Sequence, residues 1–272
     1  MQSIKRNHIQ IKKPMKLHIL LIAAGLIAVS ACKQKPTTET AAKNDSIVEQ
    51  QAPNTLSDKE KADNVQLLFD GTTTTGWRGY DKPAFPEKGW EVVEGTLHCI
   101  SSAKGEAGGG GDVLYDKKYS NFELTLDWKI SPGGNSGIFY LAQEIPNEPV
   151  WKSAPEMQIL DDSLHPDAKL GVNGNRKAGS LYDLIPCSVN AVKPAGEWNS
   201  VKVMVYKGTV VHWVNGQQVL EYHLWTDDWK KMVLDSKFKD YKWFLDTAQE
   251  GYIVLQDHGD DVWFRNIKIK EL

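Results

Sequence analysis

The 272-residue chain holds 32 basic and 35 acidic residues, a formal net charge of −3, so it lacks the electrostatic footprint of a nucleic-acid binder and suits a neutral or small ligand. Ten Trp and nine Tyr supply a large apolar core with rings to spare. Three cysteines are too few for a disulfide framework; apart from Cys32 near the start, Cys99 and Cys187 remain, either paired or free.

In chain order, the first feature is residues 15–32, where Lys16 leads into an apolar run over 17–29 that ends in Ser30-Ala31-Cys32. The run is shorter than the roughly 20 residues of a membrane span, so it reads as a signal peptide. Its end resembles a bacterial lipobox. That resemblance implies diacylation of Cys32, a signal peptide over residues 1–32, and Met15 as the start in place of Met1. Residues 33–63 are rich in Lys, Thr, Glu, Gln and Ala, a composition that cannot offset the entropy of ordering, and are read as a flexible tether. The expected partner of this end is a membrane, through the lipid. The expected address is the outer membrane, facing the periplasm, because no acidic residues directly follow Cys32 to favour the cell surface.

Residues 64–272 then show short runs of apolar and β-branched residues at 65–69, 90–93, 96–100, 122–130, 136–141, 156–160, 201–205, 210–214, 219–222, 252–256 and 262–269. Lys207-Gly208 and Asn215-Gly216 lie between alternating runs as hairpin turns do, so 201–222 reads as a meander. A single short helix is expected over 227–238 as a side cover, with Thr226 as N-cap and Asp227 and Asp228 at the positive end of its dipole. Long loops fall at 105–112 and 161–179. Many strands without βαβ alternation predict an all-β domain, a two-sheet antiparallel β-sandwich. The glycines at 108–111 lack the Lys-Ser/Thr and the strand-to-helix setting of a phosphate loop, and read as a plain loop.

Several motifs in this order carry a family likeness. They are Leu68-Phe69-Asp70-Gly71 with Gly76-Trp77, Asn135-Ser136-Gly137-Ile138-Phe139-Tyr140, Glu156-Met157-Gln158-Ile159-Leu160-Asp161, Trp198-Asn199, Val214-Asn215-Gly216, Leu255-Gln256-Asp257-His258-Gly259 and Val262-Trp263-Phe264-Arg265-Asn266-Ile267. Together, over residues 65–272, they resemble the 3-keto-disaccharide hydrolase family. The resemblance implies a concanavalin-like jelly roll over residues 64–272, and cleavage of 3-keto-glycosides by hydrolysis or through a lyase step.

In such a sugar the C3 carbonyl acidifies the hydrogen on C2, and the glycosidic oxygen on C1 is placed for β-elimination. A base, an enolate stabiliser and an acid must therefore converge on one ring. Glu156 and Gln158 fall on one strand face, and a bulge near Leu160 would return Asp161 to it. The spacing resembles the catalytic strand of laminarinase-like glycoside hydrolases, but Gln158 stands where that pattern has an acid, which weakens a direct two-carboxylate mechanism. Tyr252, Val254, Gln256 and His258 share a face of another strand, and His258 is the candidate base or metal ligand. Glu156 and His258 are the acid–base pair, and Gln158, Asp161, Gln256, Asn135 and Tyr182 the substrate contacts. Arg265 alternates with Trp263, Ile267 and Ile269. Two roles stay open for it: structural pairing with a carboxylate such as Asp127, or catalysis, with its charge aimed at an enolate oxygen. Trp128 packs in the core.

The seven histidines show no closely spaced ligand pair, which argues against a dedicated zinc site. A divalent ion held by scattered Asp, Glu and His, with His258 and Glu156 among them, stays open as a cofactor. Two other readings also stand: a non-catalytic glycan-binding lipoprotein, and an ordinary glycoside hydrolase on a laminarinase-like sandwich.

Overall fold

The computed structural model describes residues 51–102 and 108–272. The expectations for the signal peptide, for Cys32 and for residues 33–50 concern positions outside this part.

Among the described residues the strands are β1 Gln66–Leu67, β2 Trp77–Gly79, β3 Trp90–Val93, β4 Thr96–Cys99, β5 Val113–Tyr115, β6 Phe122–Ile130, β7 Asn135–Ala142, β8 Glu156–Leu160, β9 Asn199–Tyr206, β10 Thr209–Val214, β11 Gln217–His223, β12 Tyr252–Leu255 and β13 Val262–Glu271. They form two antiparallel sheets. The larger runs β11-β10-β9-β6-β13-β4-β3 with β1 beside β13, and the smaller runs β2-β5-β12-β7-β8. The expected two-sheet sandwich is the fold.

Period-two alternation explains the packing. Along β6 every second residue, Phe122, Leu124, Leu126, Trp128 and Ile130, is buried between the sheets. Ile138, Tyr140, Met157, Ile159, Ile253 and Leu255 meet this layer from the smaller sheet. The two hairpin turns behave as their sequences require, with positive φ at Lys207 and Gly208 and at Asn215 and Gly216.

Among the described residues three α-helices occur in place of the single expected one: α1 Asp58–Ala62, α2 Asp227–Leu234 and α3 Lys242–Leu245. Thr226 caps α2 as expected, accepting from the Trp229 amide. The helix stops four residues short of the expected end. An aromatic column then takes over: Tyr222, Trp229 and Phe244 stack at 5.7 and 5.8 Å between centroids, and Phe238 lies 4.2 Å from Phe244. This column is where part of the aromatic surplus goes, and it fixes α2 and α3 to β11.

Residues 51–63, expected as tether, are held on the larger sheet. The Asn54 amide donates to Asn266 Oδ1 at 2.6 Å and the Asn266 amide donates to Asn54 Oδ1 at 2.8 Å. Asn266 sits at positive φ where the β13–β6 register shifts, so Asn54 satisfies groups that a bulge had freed from the ladder. Glu60 completes a capping box with Ser57 and pairs with Lys268 at 2.7 Å. Composition measures apolar burial, and this segment is fixed by hydrogen bonds instead.

Cys99 and Cys187 are both free thiols. A buried polar triad ties the long loop to the core. Burial holds His212 neutral, lowering its pKa to about 4. Its Nδ1–H therefore donates to the Gly179 carbonyl at 3.0 Å, and Nε2 accepts from Tyr140 Oη at 2.8 Å. Tyr222 Oη, 2.7 Å from Tyr140 Oη, is left to donate to it.

Candidate active site

The outer face of the smaller sheet forms the floor of a cleft of about 730 Å³. Register dictates which side chains share that floor. Val254 pairs with Phe139 and Leu114, and Phe139 pairs with Glu156, giving one cross-strand row. The next row holds Asp112, Gln256, Gly137 and Gln158: Gly137 pairs with Gln158, the Gln256 amide donates to the Gly137 carbonyl at 3.0 Å, and the Asp257 amide donates to Asp112 Oδ1 at 2.9 Å. A third row brings Asn135 beside His258, with Asn135 Nδ2 3.3 Å from His258 Nε2.

Glu156, Gln158, His258, Asn135, Gln256 and Tyr182 therefore all line one cleft. Two expected members do not. Arg265 points from the outer face of the larger sheet, where its Nε lies 3.3 Å from Asp127 and its guanidinium stacks 4.0 Å over Trp198. Of its two open roles the structure shows the pairing with Asp127, and the core separates it from the cleft. Asp161 is also diverted. The register of β7 with β8 runs without a bulge, and the Asp161 carboxylate accepts from the Gly133 and Ser163 amides at 2.8 and 3.0 Å and from the Ser163 hydroxyl at 2.6 Å. Burial works against its charge, but these bonds hold its pKa low and leave it as a loop clamp.

Glu156 is 6% exposed, and among the described residues no hydrogen bond or ion pair holds its carboxyl. It lies across Gly137: a Cβ at that glycine would stand 2.1 Å from Glu156 Oε1. Only glycine leaves room for the acid to cross its neighbouring strand. Desolvation raises the Glu156 pKa to about 8, with Asp112 and Asp167 adding to the rise and Lys237 opposing it. At neutral pH the group is a proton donor. Asp112, half-buried at the far end of the adjacent row, is pushed to about 7, mainly by desolvation.

The walls come from residues that period-two patterns do not reveal. From the long loop, Tyr182 Oη donates to Asp167 at 2.9 Å, while Arg176 binds Asp167 at 2.8 Å and Asp183 at 2.5 Å. From the segment after α2, Lys237 stands 3.5 Å from Asp183 and 4.1 Å over the Tyr182 ring. Trp151 and Tyr241 meet edge to face at 5.3 Å and close one side. The glycines at the cleft mouth are pinned: the Gly110 and Gly111 amides donate to Asp257 Oδ2 at 2.8 and 2.9 Å. Two buried acceptors, Asn135 Oδ1 and Gln256 Oε1, have no protein donor among the described residues, and both belong to cleft-lining side chains. A polyhydroxylated ligand carries the donors they require. Among the described residues no three His, Cys, Asp or Glu side chains converge as metal donors, so His258 and Glu156 do not form part of such a set.

A sandwich whose open sheet face presents a protonated carboxyl, an imidazole and unpaired amide oxygens between aromatic walls is the design of a carbohydrate-active enzyme. Comparison with known proteins narrows the class. Residues 64–270 match the family model of the 3-keto-alpha-glucoside-1,2-lyase-like domain, and the chain belongs to that family. It is 51% identical, over 231 residues, to a 3-keto-disaccharide hydrolase of Bacteroides thetaiotaomicron, an alignment covering 78% of this chain and 79% of that protein. Among solved structures it is similar to a proposed glycosyl hydrolase from Parabacteroides distasonis, with 33% identity and a TM-score of 0.71 over 81% of this chain and 100% of that one. A second such protein from the same organism matches with 27% identity and a TM-score of 0.57, over 72% of this chain and 99% of that one.

Proposed function

We propose that the protein cleaves 3-keto-glycosides by proton abstraction at C2 and elimination at C1, as a lipid-anchored enzyme of glycan breakdown. The observation that carries this reading is the placement of His258 and a protonated Glu156 in one cleft. His258 takes the C2 proton. The C–H electron pair becomes the enolate of the C3 ketone; its collapse restores the carbonyl, forms the C1–C2 double bond and expels the oxygen on C1. Glu156 gives its proton to that oxygen, so the products are an alcohol or free sugar and an unsaturated keto sugar. Addition of water across the double bond turns the lyase outcome into net hydrolysis.

Asn135, Gln158 and Gln256 bind hydroxyls of the ring, and Trp151 and Tyr241 flank it. Gln158, in place of an acid, disfavours ordinary two-carboxylate hydrolysis of unoxidised glycosides. Diacylated Cys32 would hold the domain at the outer membrane on its periplasmic side.

The test is product analysis on matched 3-keto and unoxidised glucosides. The proposal expects turnover of the keto substrate alone, and a fall of about tenfold or more in both Glu156→Gln and His258→Ala with the fold retained. Normal rates in both variants would remove the assignment. Binding of unoxidised glycan without any product would favour a non-catalytic lectin instead.

A further inference from the structure

The proposed chemistry builds negative charge on the C3 oxygen, and the cleft must meet it with a fixed cation or donors. Arg265, the sequence's candidate, lies on the other sheet. Among the described residues the cleft is lined by one guanidinium and one ammonium, from Arg176 and Lys237. Arg176 is already committed: its Nε binds Asp183 and its Nη1 binds Asp167, each at 2.8 Å or less. Lys237 has three donors and a single ionic partner, Asp183, at a loose 3.5 Å. Its Nζ lies 4.1 Å over the face of the Tyr182 ring, a contact that uses no N–H directionally, and its side chain keeps 40% exposure, so a donor is left for a ligand in the cleft.

The placement of Lys237 is over-determined by packing. Its neighbour Phe238 lies flat on Phe244 at 4.2 Å, and the Phe238 amide is held by Ser236 Oγ at 3.0 Å. The aromatic column thus delivers this lysine to the cleft rim facing the row of Glu156. Burial in the wall pulls the Lys237 pKa down, while Asp183 and Glu156 oppose the fall. A less strongly hydrated ammonium is a better partner for an oxyanion that forms only during reaction.

We infer that Lys237 is a catalytic residue, the cation that receives the enolate oxygen of the substrate. The inference rests on the elimination reading above and deepens it. Its step is balanced without a co-reactant: as His258 removes the C2 proton, the Lys237 N–H donates a hydrogen bond to the C3 oxygen, and that bond weakens again when the carbonyl reforms.

The experiment follows exchange of the C2 hydrogen of a 3-keto-glucoside for deuterium by NMR in D2O, together with product release, for the wild type, Lys237→Met and Lys237→Arg. Circular dichroism and thermal melts control for folding. The expected result is a loss of about a hundredfold in both exchange and kcat for Lys237→Met, with KM little changed, and partial recovery in Lys237→Arg. Native exchange in a folded Lys237→Met overturns the inference. So does a loss confined to KM, which would make Lys237 a ground-state anchor. Failure of the elimination reading shows in a different arm, as a wild type that neither exchanges the C2 hydrogen nor releases product, and the inference falls with it.

Discussion

Gly137 is a residue whose value lies in what it lacks. With Glu156 Oε1 only 2.1 Å from where a Cβ would stand, Gly137→Ala must push the carboxyl off its strand neighbour. The expected outcome is a loss of about tenfold or more in kcat/KM with the fold kept, checked by kinetics beside a thermal melt. Glu156 itself makes a pH-dependent contribution whose sign can be fixed. Its folded pKa of about 8 is raised from the ordinary 4.5, so the folded state binds the extra proton between those values. Stability is therefore highest below about 4.5 and declines as pH rises through about 8. Glu156→Gln removes this dependence: its melting temperature relative to wild type should climb between pH 5 and pH 9, and a flat difference would contradict the protonated assignment. The alkaline limb of activity near pH 8 should disappear in the same variant.

At the scale of elements, the sequence discloses strands long enough to show alternation and hides those that are not. The runs of β6 and β9 stand out because five or more residues alternate between core and surface. Strands β2 and β5 have three residues each, too few for a period, so alternation gives no sign that Asp112, directly before β5, joins the cleft floor. The floor residues Glu156, Gln158, Gln256 and His258 were legible because strand alternation sorts faces. Their meeting was not, since pairing of β12 with β7 and of β7 with β8 is a matter of topology. Lys237 and Tyr241 were hidden for another reason: they follow a helix end, and their direction is set by the stacking of Phe238, Phe244 and Trp229. Trp229→Ala breaks that column. It should cost about 3–5 kcal/mol, read by denaturant unfolding, and raise KM as the cleft wall loosens. An unchanged KM in a destabilised Trp229→Ala would show that the column does not position the wall.

Over the whole molecule, the two outer faces have different roles. The smaller sheet presents the cleft; the larger one carries the Arg265–Asp127 pair and is clasped by residues 51–63. Cations and aromatic rings alternate on that larger face, which is why Arg265 looked in sequence as much like a catalytic group as a structural one. A chain beginning at Asn64 loses the Asn54–Asn266 exchange and the Glu60–Lys268 pair. Its melting temperature should fall by several degrees while kcat/KM stays unchanged, because the clasp and the cleft lie on opposite sheets; a matching loss of activity would contradict that separation.

The central claim is that Glu156 and His258 divide proton transfer over one keto-sugar ring. Deuterium exchange at C2, measured alongside product release, tests it most directly. Glu156→Gln should keep exchanging the C2 hydrogen while product release falls, and His258→Ala should lose both. A His258→Ala enzyme that exchanges at the native rate, or a Glu156→Gln enzyme that releases product at the native rate, would contradict the account.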